Sequence, residues 1–236
     1  SNEPSHFGVS ELEAIELSLS KAQSSPYMWI RLKGGGKARE YVLFDTGMHG
    51  FYDMSIDNYE KLKELVAFQG EESGKGSKSI GLFNSVESDT HFRVTIPEIE
   101  VGSSGFKNVK TITMSADRSR IGSELLDFGK VTIDYKNSKL YFEPNGKERD
   151  LDEKSLGFSP TIRDEQIVVG VVWSSSLPDK LNFGDPILKI NELEISEMDP
   201  CEFVNNPSPF KSEETFKIRF LDKETQQEFE LEMKKE

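Results

Sequence analysis

The sequence predicts a mainly β fold in two domains, with a few short helices. Short apolar runs alternate with polar residues and are separated by turns rich in Gly, Ser, Asn and Pro, which is typical of strands. The chain has 236 residues, enough for two separate cores. Because residues 144–152 are polar and turn-rich, we predict one domain over residues 1–145 and a second over residues 146–236.

Composition and charge exclude several functional classes. Lys and Arg total 29 against 42 Asp and Glu, so the net charge is −13. This balance argues against nucleic acid and anionic membrane surfaces as partners. No apolar run approaches the roughly 18 residues of a membrane span. The single cysteine, Cys201, permits no intramolecular disulfide, and we interpret it as a small packing residue.

The first predicted elements are three strands. Ala14–Leu19 alternates apolar and polar residues, and Tyr27–Leu32 follows a turn. The glycine-rich stretch Lys33–Lys37 lacks the second half of a P-loop and opens no helix, so we interpret it as a hairpin turn. The return strand contains the apolar run Tyr41–Phe44 and ends in Asp45-Thr46-Gly47.

Asp45 is therefore predicted at the buried end of a strand. A carboxylate in that position is costly unless hydrogen bonds, a partner charge or a proton satisfy it. Each of these would make Asp45 a candidate for acid/base chemistry.

A helix and a glycine-rich loop follow. Phe51–Ser55 is a predicted strand, Ser55 is a candidate N-cap, and Ile56–Phe68 carries apolar residues at helical spacing. The stretch Gly70–Gly81 is rich in Gly and Ser, which indicates a flexible surface loop.

The next part of the chain repeats this order in outline. Strands are predicted at His91–Ile96, Ile99–Val101 and Val109–Met114, with a turn at Gly102–Gly105, and they lead to Ile121-Gly122. In both halves a strand, a glycine-rich turn and a second strand precede a glycine. An internal duplication of this kind fits a closed barrel of two similar halves.

Two stretches in this order resemble retroviral-type (retropepsin-like) aspartic proteases. Tyr41–Gly47 resembles the apolar-apolar-Asp-Thr-Gly motif of their active site. Ile121–Leu126 resembles the Ile-Gly-x-x-Leu-Leu segment that packs beneath the catalytic strand. The resemblance implies a closed β-barrel and a peptidase in which Asp45 is one of two carboxylates that share a proton, for which this family is the standard example. Thr46 would brace the pair, and Gly47 would let the chain pass close beneath it.

The resemblance also implies a flap, a mobile hairpin that closes over a bound peptide. It would lie over Gly70–Gly81, and Gly74, Gly76 and Ser77 would contact the substrate. The alternative is that this stretch is only a flexible surface loop.

Only one Asp-Thr-Gly motif is present, so the second carboxylate must come from elsewhere. It would be supplied either by Asp45 of a second copy of the chain or by a protease lobe upstream of this sequence. The sequence also departs from the family after Gly47, where Met48, followed by His49, stands in place of the usual Ala, Ser or Thr. A nearby His49 would hold Asp45 ionised and disturb the sharing of the proton.

The second half of the chain resembles a PDZ domain. Phe183–Asn191 resembles the Gly-Asp-x-Ile-Leu-x-Ile-Asn segment of that family. Leu156-Gly157-Phe158 resembles the loop with which PDZ domains hold a peptide C-terminal carboxylate on backbone N–H groups. A helix over Met198–Asn205 would flank the peptide groove. The alternative is a PDZ-like domain that only packs against its neighbour.

Together the resemblances imply an aspartic endopeptidase that needs neither metal nor cofactor, with a PDZ domain that recognises substrates or partners. The alternative is a catalytically silent protein that binds peptides. Expected partners are a peptide or protein substrate and the source of the second Asp. The start at Ser1 leaves the compartment open, since a leader can have been removed; the pairing of protease and PDZ resemblances alone suggests an exported bacterial protein, periplasmic or at the cell surface.

Overall fold

The chain divides into two compact units. The computed structural model describes residues 12–20, 24–77, 89–173, 177, 181–205, 208–210 and 213–236. The first unit comprises Ser1–Glu71 and Arg93–Glu153, and the second comprises Glu72–Phe92 and Lys154–Glu236. The prediction of a mainly β protein is confirmed.

The elements from the start of the chain to its middle are as follows. They are β1 Ala14–Leu19, β2 Pro26–Lys33, β3 Lys37–Asp45, β4 Tyr52–Ser55, α1 Ile56–Val66, β5 Gln69–Gly76, β6 Asp89–Val101, β7 Ser104–Met114, β8 Arg120–Gly122, a 3₁₀ helix Ser123–Phe128, β9 Gly129–Asp134 and β10 Lys139–Pro144.

Six strands of the first unit form a closed barrel. Their order is β6-β7-β4-β8-β3-β2, and pairing of β2 with β6 closes the ring. The β3–β8 and β4–β7 pairs are parallel, and the other pairs in the ring are antiparallel. Strands β1, β10 and β9 extend the sheet beyond β2. The closed barrel predicted from the two similar halves is therefore confirmed.

The strands of the ring bury every second residue. Met28, Ile30 and Leu32 of β2 have no exposed surface, and Val42 of β3 is equally buried. Alternation of this kind turns one face of each strand to the core and the other to water.

Helix α1 begins where its cap predicts and ends earlier than expected. The Ser55 hydroxyl accepts a hydrogen bond from the Asn58 N–H at 3.2 Å, and Tyr59 and Leu62 pack into the core. The helix ends at Val66 rather than Phe68, because Ala67 adopts the left-handed conformation, with φ of 54°.

The glycine-rich hairpin turn approaches the end of α1. The Gly35 N–H donates to the Val66 carbonyl at 2.8 Å. A Cβ on Gly34 would lie 2.0 Å from the same oxygen. The turn therefore needs glycine to satisfy a helix C-terminus at close range.

The boundary between the units falls later than the predicted residue 145. The Lys107 N–H donates to the Arg149 carbonyl at 2.8 Å, and the Leu151 N–H donates to the Lys107 carbonyl at 2.9 Å. Leu151 is buried. These bonds attach the polar stretch to β7, so the first unit continues to Glu153.

The second unit contains two groups of strands. Its remaining elements are β11 Phe158–Arg163, β12 Gln166–Trp173, β13 Ile187–Ile190, β14 Leu193–Glu194, α2 Pro200–Asn205, β15 Thr215–Leu221 and β16 Glu228–Lys234. One sheet has the order β14-β13-β15-β16, and β12 pairs with β11 and with β5. The predicted helix over Met198–Asn205 forms from Pro200. Cys201 is exposed, so its interpretation as a packing residue is wrong.

Strand β5 corrects the prediction of a free loop over Gly70–Gly76. Gly74 and Gly76 pair with Trp173 and Val171 of β12, inside the second unit. A Cβ on Gly76 would lie 1.8 Å from the Gly170 carbonyl oxygen, and Ser77 is buried. These glycines allow close strand packing. Contact of Gly74, Gly76 and Ser77 with a substrate stays a prediction, and residues 78–81 of the predicted flap lie outside the described residues.

Candidate active site

Asp45 lies at the last position of β3. Its neighbour in the parallel strand β8 is Gly122, and the preceding pair is Phe44 with Ile121. Phe44 and Ile121 are buried, whereas the side chain of Asp45 is 29 % exposed. The two stretches that carried the protease resemblance are thus adjacent in the barrel. Asp45 therefore lies at the end of its strand, as predicted, but its carboxylate is only partly buried, because it lies on the opposite face of β3 from Phe44.

The turn after Asp45 folds back onto its carboxylate. The Gly47 N–H donates to Oδ1 of Asp45 at 3.0 Å, and the Met48 N–H donates to the Asp45 carbonyl at 3.1 Å. A Cβ on Gly47 would lie 3.2 Å from that Oδ1, which is tighter than usual. Thr46 is exposed and makes no hydrogen bond with the described residues. Its bracing role stays a prediction.

The second carboxylate oxygen of Asp45 faces Arg120, a residue that the sequence analysis did not identify. Nη1 of Arg120 lies 3.2 Å from Oδ2 of Asp45, and Nη2 lies 3.7 Å from Oδ2 of Asp53. Nη2 also lies 3.4 Å from the Met114 sulfur. Nε of Arg120 is buried and has no hydrogen-bond partner among the described residues. The guanidinium group therefore lies between two carboxylates at the surface of the barrel.

Met48 points into the protein rather than towards the carboxylate. Its side chain is buried, and its Cε would lie 2.6 Å from a Cβ on Gly122. Its carbonyl accepts hydrogen bonds from the N–H and the hydroxyl of Ser123, at 2.8 and 2.9 Å. The loop of Met48 and Gly50 packs directly on Gly122, which explains why that position is glycine. His49 is exposed.

A buried polar network lies inside the same barrel. The Glu40 carboxylate accepts hydrogen bonds from the Tyr52 hydroxyl, the Ser119 hydroxyl and, at 2.7 Å, the Asn58 amide. The Ser55 N–H donates to the Ser119 oxygen at 2.9 Å. Burial raises the pKa of Glu40 above its ordinary value, and these three donors lower it in part. Burial and the adjacent Glu40 raise the pKa of Tyr52 well above its ordinary value.

The residues of the predicted carboxylate loop lie in the second unit. Leu156 and Phe158 are buried in its core, and the Gly157 carbonyl accepts the Trp173 N–H at 2.9 Å. Ser155 and Glu236 exchange two backbone hydrogen bonds of 2.9 and 3.0 Å. A cavity of about 130 Å³ is lined here by residues that include Gly157, Leu177, Leu231 and Met233.

In the described ranges, no three His, Cys, Asp or Glu side chains are close enough together to hold a metal ion. Among the helices that the structure describes, none is long and apolar enough to span a membrane.

Comparison with solved structures found a similar protein. It is a retropepsin-like aspartic protease from Rickettsia conorii, solved as a crystal structure, with 18 % sequence identity and a TM-score of 0.33. The match covers 56 % of this chain and 94 % of that chain. No protein-family model matches the chain, and no curated protein matches it.

Proposed function

We propose that the first unit is one lobe of an aspartic peptidase and that Asp45 is its catalytic carboxylate. The observation that carries this proposal is the geometry at the end of β3. Asp45-Thr46-Gly47 turns beside Gly122, and the Gly47 N–H donates to the Asp45 carboxylate at 3.0 Å. A partly exposed carboxylate at the surface of a closed barrel is accessible to a water molecule and to a peptide.

The reaction needs a second carboxylate close to Asp45. Two carboxyl groups at short distance share one proton, because the negative charges of two ionised carboxylates so close together would repel each other strongly. The ionised member accepts a proton from water, which attacks the scissile carbonyl, and the protonated member donates a hydrogen bond to the carbonyl oxygen. The second carboxylate would come from Asp45 of another copy or from a lobe outside this sequence.

The ion pair with Arg120 favours a second candidate function, a catalytically silent protein that binds peptides. Nη1 of Arg120 lies 3.2 Å from Oδ2 of Asp45, so this carboxylate oxygen already has a cationic partner within the chain. In this candidate the second unit carries the function, as a PDZ-like domain that binds peptide termini.

The geometry of the second unit is compatible with such binding. In the described part of the sheet, β11 is the terminal strand beside β12, and it contains Pro160, a residue that sheets tolerate at their edges. An extended peptide can pair with an edge of this kind while its C-terminal carboxylate is held on backbone N–H groups near Gly157.

Replacing the candidate carboxylate tests the first proposal. We expect wild-type protein to cleave a quenched fluorescent peptide library at mildly acid pH, and Asp45→Asn to lower the rate by about 10³-fold or more. The matched control is Asp127→Asn, which makes the same charge change at an exposed position of the 3₁₀ helix. Undiminished cleavage by Asp45→Asn would refute the proposal.

The second candidate is tested by changing the ligand and not the protein. Leu156 and Phe158 belong to the core of the second unit, so replacing them would destabilise that unit as well as alter the loop. We expect micromolar binding of peptides with a free C-terminal carboxylate and much weaker binding of the same peptides with an amidated C-terminus. Binding without any turnover by the wild-type protein would favour this candidate. Equal binding of both peptide forms would exclude recognition of the carboxylate.

A further inference from the structure

The face of β3 that carries Asp45 continues along the strand as a polar and aromatic surface. Glu40, Val42 and Phe44 are buried on one side of β3. The alternate residues Arg39, Tyr41, Leu43 and Asp45 therefore share the other side. Leu43 is the only residue on this side between Asp45 and Tyr41, so the surface is continuous with the candidate catalytic carboxylate.

Strand β2 supplies aromatic rings to the same face. Tyr27 lies opposite Leu43, and Trp29 lies opposite Tyr41. The Tyr27 and Tyr41 rings stack at 5.4 Å with an interplanar angle of 20°, and the Trp29 and Tyr41 rings lie 5.3 Å apart. Trp29 is 49 % exposed. We call Tyr27, Tyr41 and Trp29 the aromatic ladder.

Two exposed arginines lie over these rings. The Arg118 guanidinium carbon is 5.6 Å from the Tyr27 ring centre and 5.4 Å from that of Tyr41. The Arg39 guanidinium carbon is 4.9 Å from the Trp29 ring centre. Neither arginine forms an ion pair with any residue in the described parts of the chain. By contrast, Arg31 of the same face lies 3.6 Å from the Glu100 carboxylate.

These two guanidinium groups are available to an incoming anion. A ring face holds the cation without neutralising its charge, and the planar donors of Arg match a carboxylate. The protein as a whole carries a net charge of −13, which repels an acidic peptide at long range, so binding here depends on the local positive charge of these two arginines. Acidic neighbours weaken the site at one end, since Arg39 also borders a cavity of about 200 Å³ that Glu13, Glu16 and Glu100 line. Arg118 is therefore the stronger anion site.

We propose that the aromatic ladder with Arg118 and Arg39 binds an acidic stretch of the substrate polypeptide, away from the bond that is cleaved. The proposal rests on the proposed peptidase function, and it names the substrate class. Since an extended chain advances roughly 3.3 Å per residue, the rings of the ladder lie about two to four residues from Asp45, and Arg39 lies about six residues from it. Acidic residues, with aromatic residues between them, would occupy this stretch of the substrate.

Binding can be measured without cleavage. The probe is a ten-residue peptide of alternating Glu and Phe, and the reporter is Trp29, because the other tryptophan, Trp173, is fully buried. We expect the peptide to protect Trp29 from acrylamide quenching, and protection to weaken as salt rises. Arg118→Gln should weaken binding about fivefold, which is the upper range for one exposed charge pair. A peptide with Gln in place of Glu should bind the wild-type protein no more tightly than the Glu peptide binds Arg118→Gln.

The matched control is Arg163→Gln, which makes the same charge change in the second unit, where Arg163 lies 5.6 Å from the Phe183 ring. It should bind the acidic peptide as the wild-type protein does. Equal binding of the Glu and Gln peptides, no effect of Arg118→Gln, or an equal effect of Arg163→Gln would overturn the proposal.

A second readout separates this proposal from the peptidase. With cleavable peptides that carry Glu about two to six residues from the scissile bond, Arg118→Gln should raise KM and leave kcat nearly unchanged. Cleavage with no preference for acidic substrates would overturn the binding surface and leave the peptidase standing. Binding that depends on Arg118 without any cleavage would refute the peptidase and leave the surface standing.

Discussion

The two oxygens of the Asp45 carboxylate have different partners. Oδ1 accepts the Gly47 N–H at 3.0 Å, and Oδ2 lies 3.2 Å from Arg120. Both side chains are about 30 % exposed, so solvent screening limits the ion pair to about 1 kcal/mol or less. Asp53 is a second acceptor for the same guanidinium group at 3.7 Å. The pair with Asp45 is therefore weak enough for a second carboxylate or a substrate to displace it.

The buried Glu40 predicts how stability depends on pH. Its pKa is raised above 4.5, so the folded state binds this proton more tightly than the unfolded state does. Its contribution to stability is full below pH 4.5 and is lost as pH rises through the folded-state pKa. Glu40→Gln cannot titrate, so we expect its melting temperature to fall less than that of the wild-type protein over this window. Thermal unfolding at a series of pH values measures, for each of the two proteins, the slope of melting temperature against pH.

The control for this prediction is Glu64→Gln, which makes the same charge change on the exposed side of α1. It should keep the wild-type slope. Burial also raises the pKa of Asp185, so some slope in the same direction should persist in Glu40→Gln. Identical slopes for Glu40→Gln and the wild-type protein would contradict the assignment of the titration to Glu40.

Single residues show where sequence reasoning succeeds and where it stops. Asp45 was identified because an apolar run and a turn signal are local patterns. Arg120 was not, because its contact depends on the parallel register that pairs it with Leu43, and no local pattern reveals register. The burial of Glu40 could have been predicted, since Glu40 occupies the inward position of the alternation that continues with Val42 and Phe44.

At the scale of elements, β5 gives a testable consequence. Gly76 has φ of 152°, and a Cβ there would lie 1.8 Å from the Gly170 carbonyl oxygen. Gly76→Ala must therefore separate β5 from β12, and we expect a loss of about 3 kcal/mol in the free energy of unfolding. Urea denaturation measures this loss.

The matched variant is Gly146→Ala. Gly146 also has positive φ, at 81°, but a Cβ there would meet no atom within 4 Å. Only the backbone cost of about 1–2 kcal/mol applies. If the two variants lost equal stability, close packing against Gly170 would not be what requires glycine in β5.

The ends of an element could be predicted where a capping residue or a turn motif lies next to them in the sequence. Helix α1 begins after the Ser55 cap, and β3 ends at Asp45, as the sequence indicates. The partner of β5 could not be predicted, because β12 lies far away in the sequence and glycines favour both mobile loops and close strand packing. The same ambiguity explains why the flap prediction covered residues that pair with β12.

At the scale of the whole molecule, the barrel of the first unit consists of two similar halves. β2, β3, β4 and α1 correspond in order to β6, β7, β8 and the 3₁₀ helix. The parallel pairs β3–β8 and β4–β7 join one half to the other. The repeat in the sequence predicted a closed barrel. It did not predict that each half would supply the partner of the other half's second strand.

Mixing subunits identifies the source of the second carboxylate. If two copies of Asp45 form the pair, an equal mixture of wild-type and Asp45→Asn protein contains about one quarter fully competent pairs. Activity should then fall to about a quarter of that of the same total amount of wild-type protein. If the second carboxylate lies in another lobe of the same polypeptide, activity of the full-length mixture should fall only to about half. Peptide cleavage after prolonged incubation of the mixture distinguishes the two outcomes.

The path of the chain between the units affects how the protein can be divided and how it is synthesised. Residues of the second unit, Glu72–Phe92, are inserted within the sequence of the first unit. A cut at the boundary after Glu153 would leave β5 without β12, so the first unit would be whole but the second unit would be divided between the two fragments. On the ribosome, β5 emerges long before β12, whereas β1 can pair with β2 well before β10 is made. The edge of β5 that pairs with β12 is exposed to wrong pairing during synthesis, and we expect folding to finish only once the second unit has been made.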